Sequence, residues 1–107
     1  MDYIITFESA MAIAKKYASR VYNELDSQAI IYLYGSVVNN KAHPRSDIDI
    51  AVISKAFTSD VCKNYAIVNL LAFDIDENID VQAIILEDWI QKTPFTSQLE
   101  KQGVLVA

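Results

Sequence analysis

Gly35 is the first of only two glycines in this 107-residue chain, and it directly ends the apolar run Ala29-Ile30-Ile31-Tyr32-Leu33-Tyr34. A β-branched and aromatic run of that length predicts a buried strand. A lone glycine at its end predicts a turn in which a side chain would be in the way. Asn39, Asn40, His43 and Pro44 then read as a loop, with one short helical turn after Ser36, and Asp47 to Ile53 reads as a second strand.

The rest of the chain frames these two strands. Ala10, Ile13, Ala14, Tyr17, Ala18, Val21, Tyr22 and Leu25 recur at helical spacing and predict a helix over about residues 7 to 26. A second helix is expected from near Asp60, capped by Thr58 or Ser59, with Val61, Tyr65, Val68, Ala72 and Ile75 as its core stripe. From Ile79 to Leu86 the residues alternate, Asp80, Gln82, Ile84 and Leu86 on one face against Ile79, Val81, Ala83 and Ile85 on the other, which is a third strand. After an acidic segment carrying Trp89, Thr93 as N-cap, Pro94 at the first helical position and Gly103 just past the end bracket a last helix. Val104 to Val106 form a short edge strand. The order is α-β-β-α-β-α-(β), an α/β sandwich with helices packed on a small mixed sheet.

Composition sets the limits of this reading. At 52% hydrophobic and 21% charged, residues 1–107 have an ordinary globular make-up and room for a single domain. Nine Lys and Arg against 14 Asp and Glu leave a net charge of −5, which repels a phosphate backbone and argues against extended nucleic-acid binding. No apolar run reaches membrane-spanning length, and Met1-Asp2-Tyr3 does not open a secretion signal. The one cysteine, Cys62, is expected to be a buried, inert thiol in a reducing compartment. The expected location is cytoplasmic.

The chemistry gathers on a few residues. Asp47 and Asp49 alternate onto the same face of their strand, and two carboxylates side by side repel each other unless a cation lies between them. Mg²⁺ is the commonest hard divalent ion to be held in this way, together with substrate phosphates. If the third strand lies beside the second, Asp80 completes a two-metal carboxylate cluster able to support in-line attack on phosphorus. Gly35 lets the backbone approach a phosphate, and Ser36 offers a hydroxyl and N–H groups to its oxygens. Other signals are weaker. Asp74-x-Asp76-x-Asn78 opens like a calcium loop but has Ile79 and Ile85 where such a loop needs Gly and Glu. His43 reads as a surface residue. Trp89 and the tyrosines read mainly as packing, with a subset available for a partner interface.

The segments Leu33-Tyr34-Gly35-Ser36 and Ser46-Asp47-Ile48-Asp49-Ile50-Ala51-Val52, with Ile79-Asp80-Val81, resemble the DNA polymerase β type of nucleotidyltransferase, in particular its minimal nucleotidyltransferases. Leu99 to Leu105 resembles the end of such domains, so the resemblance spans nearly the whole chain. It implies the nucleotidyltransferase fold, with Asp47 and Asp49 as ligands of two Mg²⁺ ions. Asp80 would bind one metal and help deprotonate an acceptor hydroxyl, and Gly35 with Ser36 would hold the triphosphate of ATP. The reaction implied is transfer of a nucleoside monophosphate with release of pyrophosphate. Members of the family often carry a basic residue and a glycine where this chain has Asn39 and Asn40. Asn40 can adopt the left-handed backbone of the glycine, whereas Asn39 lacks the charge, which Lys41 or Arg45 would have to replace.

The resemblance further implies a partner. Minimal nucleotidyltransferases commonly act with a helical protein of the HEPN type, as the antitoxin of a toxin–antitoxin pair, and some transfer AMP onto a tyrosine of that toxin. An acidic chain suits a protein acceptor better than a nucleic acid. Two readings follow: an adenylylating enzyme, or a binding module that neutralises a helical partner by contact. Transfer to a small-molecule hydroxyl, as on an aminoglycoside, would call for added acceptor-binding sequence.

Overall fold

A computed structural model describes residues 5–39 and 47–106 of the chain. Asn40, Lys41, His43, Pro44 and Arg45 lie outside the described residues. Helix α1 (Phe7–Glu24) starts from a reciprocal cap, in which Thr6 Oγ1 accepts the Ser9 backbone N–H at 3.1 Å and Ser9 Oγ accepts that of Thr6 at 3.2 Å. Strand β1 (Ile30–Tyr34) and strand β2 (Ile48–Ser54) are antiparallel, with Leu33 opposite Ile50 and Tyr34 opposite Asp49. Helix α2 (Val61–Ala72) carries the chain over to β3 (Ile79–Ile85), which runs parallel to β2. Helices α3 (Leu86–Gln91) and α4 (Pro94–Gln102) and the two-residue strand β4 (Val104–Leu105) complete the order. The mixed sheet runs β3-β2-β1-β4, an α+β arrangement. Among the described residues no helix is long and apolar enough to cross a membrane.

Strand alternation divides the core into two clusters. Ile31, Leu33, Ile48, Ile50, Val52 and Val81 face α1 and α2, where Ala10, Ala14, Tyr17, Val21, Val68 and Ala72 meet them. Burying each Ile, Leu or Val is worth about 1.5–3 kcal/mol, which makes this face the main source of stability. The buried Tyr17 hydroxyl donates to the Val68 carbonyl at 2.9 Å and links the two helices. On the other face Ala51, Ile53 and Ile84 pack under Leu99 of α4 and Trp89 of α3. Only part of that face is covered.

Several boundaries and surfaces depart from the sequence reading. The first helix ends at Glu24 rather than near residue 26. Asp60, and neither Thr58 nor Ser59, caps α2, because its side chain reaches the Lys63 N–H at 3.1 Å while Thr58 Oγ1 is occupied by the Asp60 N–H. The α2 stripe is turned as well. Val68 and Ala72 are buried as expected, but Asn64 joins them, whereas Val61 is 66% exposed and Tyr65 is also exposed. Asn64 is at home there because its side chain accepts the Thr58 N–H and donates to the Thr58 carbonyl. That rotation carries Cys62 outward, so the thiol is exposed rather than buried. The acidic segment after β3 is a helix, α3. Thr93, Pro94 and Gly103 bracket α4 as expected. Gly103, however, has ordinary negative φ, and a side chain there would crowd the Leu99 carbonyl and the Tyr32 ring.

Candidate active site

The site begins where β1 stops. Gly35 takes φ +82, a left-handed backbone that L side chains rarely adopt, and its carbonyl accepts N–H groups from both Val38 and Asn39 at 3.1 Å. Val37, buried, pins this turn to the core, and Ser36 stands half-buried within it. The open side of Gly35 faces Asp49: a Cβ at residue 35 would overlap Asp49 Oδ2 and lie 3.0 Å from its Cγ. Gly35 is therefore required both for the turn and for the room that the carboxylate occupies.

The three acids come together. Asp49 is the second residue of β2 and stands directly across from Asp80 in the parallel ladder. Asp47 lies just ahead of the strand, two residues back and hence on the same face. One carboxylate oxygen of each of the three lies within 4.8 Å of the others. Asp47 and Asp80 are exposed and Asp49 is half-buried. Partial burial, then the charges of Asp80 and Asp47, push the Asp49 carboxyl up to about 6. Among the described residues no Lys or Arg forms an ion pair with any of the three, since the cationic groups that pair do so with Glu24, Asp74 and Glu100. Three hard oxygen donors crowded into one small volume fit a divalent cation.

Of the tyrosines the sequence reading left as packing, one borders the acids and another meets β3 further along from Asp80. Tyr34 pairs with Asp49 across the ladder, and its hydroxyl is pushed above its usual range by burial and then by Asp49 and Asp80. Tyr65, turned outward on α2, accepts a hydrogen bond from Gln82 Nε2 at 3.3 Å, and Gln82 shares the face of Asp80. The period-2 alternation of β3 already marked Gln82, whereas the position of Tyr65 depends on the rotation of α2.

The fold and this acid cluster together define the nucleotidyltransferase class. A family model described as polymerase beta, nucleotidyltransferase, matches residues 15–107, and the chain belongs to that family. Its structure also resembles the crystal structure of a Sulfolobus solfataricus protein provisionally assigned as a nucleotidyltransferase. The similarity covers 98% of this chain and 89% of that one, at 19% identity and a TM-score of 0.59, which establishes the shared fold. Among curated proteins no sequence matches significantly.

Proposed function

We propose that this chain is a Mg²⁺-dependent nucleotidyltransferase that moves AMP from ATP onto a hydroxyl of a helical partner protein of the HEPN type, acting as the antitoxin of that pair. The observation that carries the reading is the convergence of Asp47, Asp49 and Asp80 opposite Gly35. Asp47 and Asp49, with Asp80, would hold the cation, which when bound supplies neutralisation of phosphate charge and a lowered pKa for the attacking hydroxyl. The turn at Gly35-Ser36 offers N–H and hydroxyl donors to the triphosphate oxygens. Asp80, exposed at the rim, accepts the proton of the incoming hydroxyl. The hydroxyl oxygen bonds to the α-phosphorus and pyrophosphate leaves.

Two features support a protein acceptor. The net charge of −5 disfavours a polyanion. In addition, the α2 region exposes Leu70 (76%) and Phe73 (85%), large apolar groups that suit a protein contact. A second reading, neutralisation of the partner by contact alone, draws on the same apolar residues and on the neutral Asn39 after the phosphate turn.

Titration with ATP, with and without Mg²⁺, followed by intact-mass analysis of a co-expressed HEPN-type partner, tests the proposal. Mg²⁺-dependent ATP binding and one added AMP on the partner are expected, both lost in Asp47→Ala/Asp49→Ala. Partner neutralisation that survives in this double variant establishes the contact reading instead.

A further inference from the structure

Beside the acid cluster a cavity of about 210 Å³ opens between the end of β1 and α4. It is lined by Tyr34, Gly35, Phe95, Gln98, Leu99 and Gln102. Gly35 and Tyr34 belong to both places: they line the cavity, and Gly35 abuts Asp49 while Tyr34 pairs with it across the ladder. A molecule held at the Gly35 turn by its phosphates has this cavity as its adjoining space.

The lining has the chemistry of a ring site rather than a phosphate site. The described residues around it include no Lys or Arg, so nothing cationic would draw a phosphate inward. Phe95 meets Tyr34 edge to face, with ring centroids 5.8 Å apart and planes at 75°, and is itself partly open to solvent. An aromatic face so placed is a platform on which a flat heterocycle stacks. Gln98 and Gln102, one turn apart on α4, are joined by a hydrogen bond from Gln98 Nε2 to Gln102 Oε1 at 3.3 Å. That bond leaves the carbonyl of one amide and an N–H of the other unused, an acceptor and a donor side by side. Such a pair complements the mixed donor and acceptor edge of a nucleobase.

We propose that this cavity is the nucleobase subsite, with Phe95 stacking on the base and Gln98 and Gln102 reading its edge, while the Gly35-Ser36 turn holds the phosphates. The proposal rests on the nucleotide-transfer reading above and adds how the substrate is recognised. Isothermal titration with Mg²⁺ compares ATP with inorganic triphosphate on the wild type, on Phe95→Ala and on Gln102→Ala, with circular dichroism confirming that each variant keeps its fold. ATP is expected to bind the wild type more tightly than triphosphate. Phe95→Ala is expected to weaken ATP on the order of tenfold, and Gln102→Ala a few-fold, with triphosphate affinity unchanged in both. If ATP and triphosphate bind but neither variant weakens ATP selectively, the subsite is wrong and the transfer reading stands. If neither compound binds the wild type, both fall together.

Discussion

The missing side chain of Gly35 and the carboxylate of Asp49 occupy one space: a Cβ at residue 35 would overlap Asp49 Oδ2. The glycine thus carries a backbone demand and a steric one at once, and the two can be separated. Gly35→Ala is expected to cost about 2–4 kcal/mol, of which about 1–2 comes from the left-handed φ alone. In an Asp49→Ala background the cost should fall toward that second figure, since only the contact with the Cβ of residue 49, at 3.2 Å, remains. Urea denaturation of the four proteins measures both, and an equal cost in the two backgrounds would show that the glycine makes no room for the carboxylate.

Asp49 makes stability depend on pH in an unusual direction. Its carboxyl, pushed from 3.8 in the ordinary case up to about 6, keeps a proton in the folded chain that the unfolded chain has released. The stability it contributes is full below about pH 3.8 and is lost as pH rises through 6. At pH 7.5 in EDTA, Asp49→Asn should therefore stabilise the protein, by about 1 kcal/mol once the half-exposed position is discounted for solvent screening. That gain should shrink toward pH 4.5. Added Mg²⁺ should raise the denaturation midpoint of the wild type and leave that of the variant nearly unmoved. A variant less stable than the wild type at pH 7.5 would rule out a carboxylate held unfavourably by burial and by its charged neighbours.

Asn64 is a polar residue in the core whose value lies outside its own helix. Its side chain accepts the Thr58 N–H at 3.0 Å and donates to the Thr58 carbonyl at 2.7 Å, holding the loop ahead of α2. Asn64→Ala leaves both backbone groups without a partner and should cost about 2 kcal/mol. Asn69→Ala, which removes an exposed bond to the Tyr65 carbonyl, should change stability by no more than about 0.5 kcal/mol. Thermal melts of the two variants side by side decide the matter.

The strands and the acid pair were legible from local signals, a β-branched run for β1 and period-2 alternation for β2 and β3. Asp47 and Asp49 could be put on one face from spacing alone, whereas Asp80 joined them only through the adjacency and register of β2 and β3. The ends of α4 were legible because Thr93, Pro94 and Gly103 act within a turn of themselves. Helix α2 was not. It is apolar nearly all round, so Val61 and Tyr65 fit a core stripe better than the polar Asn64 does, and three successive residues are all able to cap it. Helix α3, at six residues, is too short for periodicity to show. Phe95 and Tyr34 are brought together across 61 positions, a separation on which local patterning is silent.

Because β2 and β3 are parallel and in register over seven pairs, from Ile48 with Ile79 to Ser54 with Ile85, the alternation that aims Asp80 at Asp49 also aims Val81 into the main core. A slip of one residue would turn the carboxylate under the sheet and the valine out to water. Length changes in the loops on either side of α2 can leave that pairing intact, whereas within Ile79–Ile85 a single added residue removes the chemistry and the hydrophobic interior in one event. Length change in this part of the molecule is thereby expected only in those loops, and the strand is left to change by substitution alone.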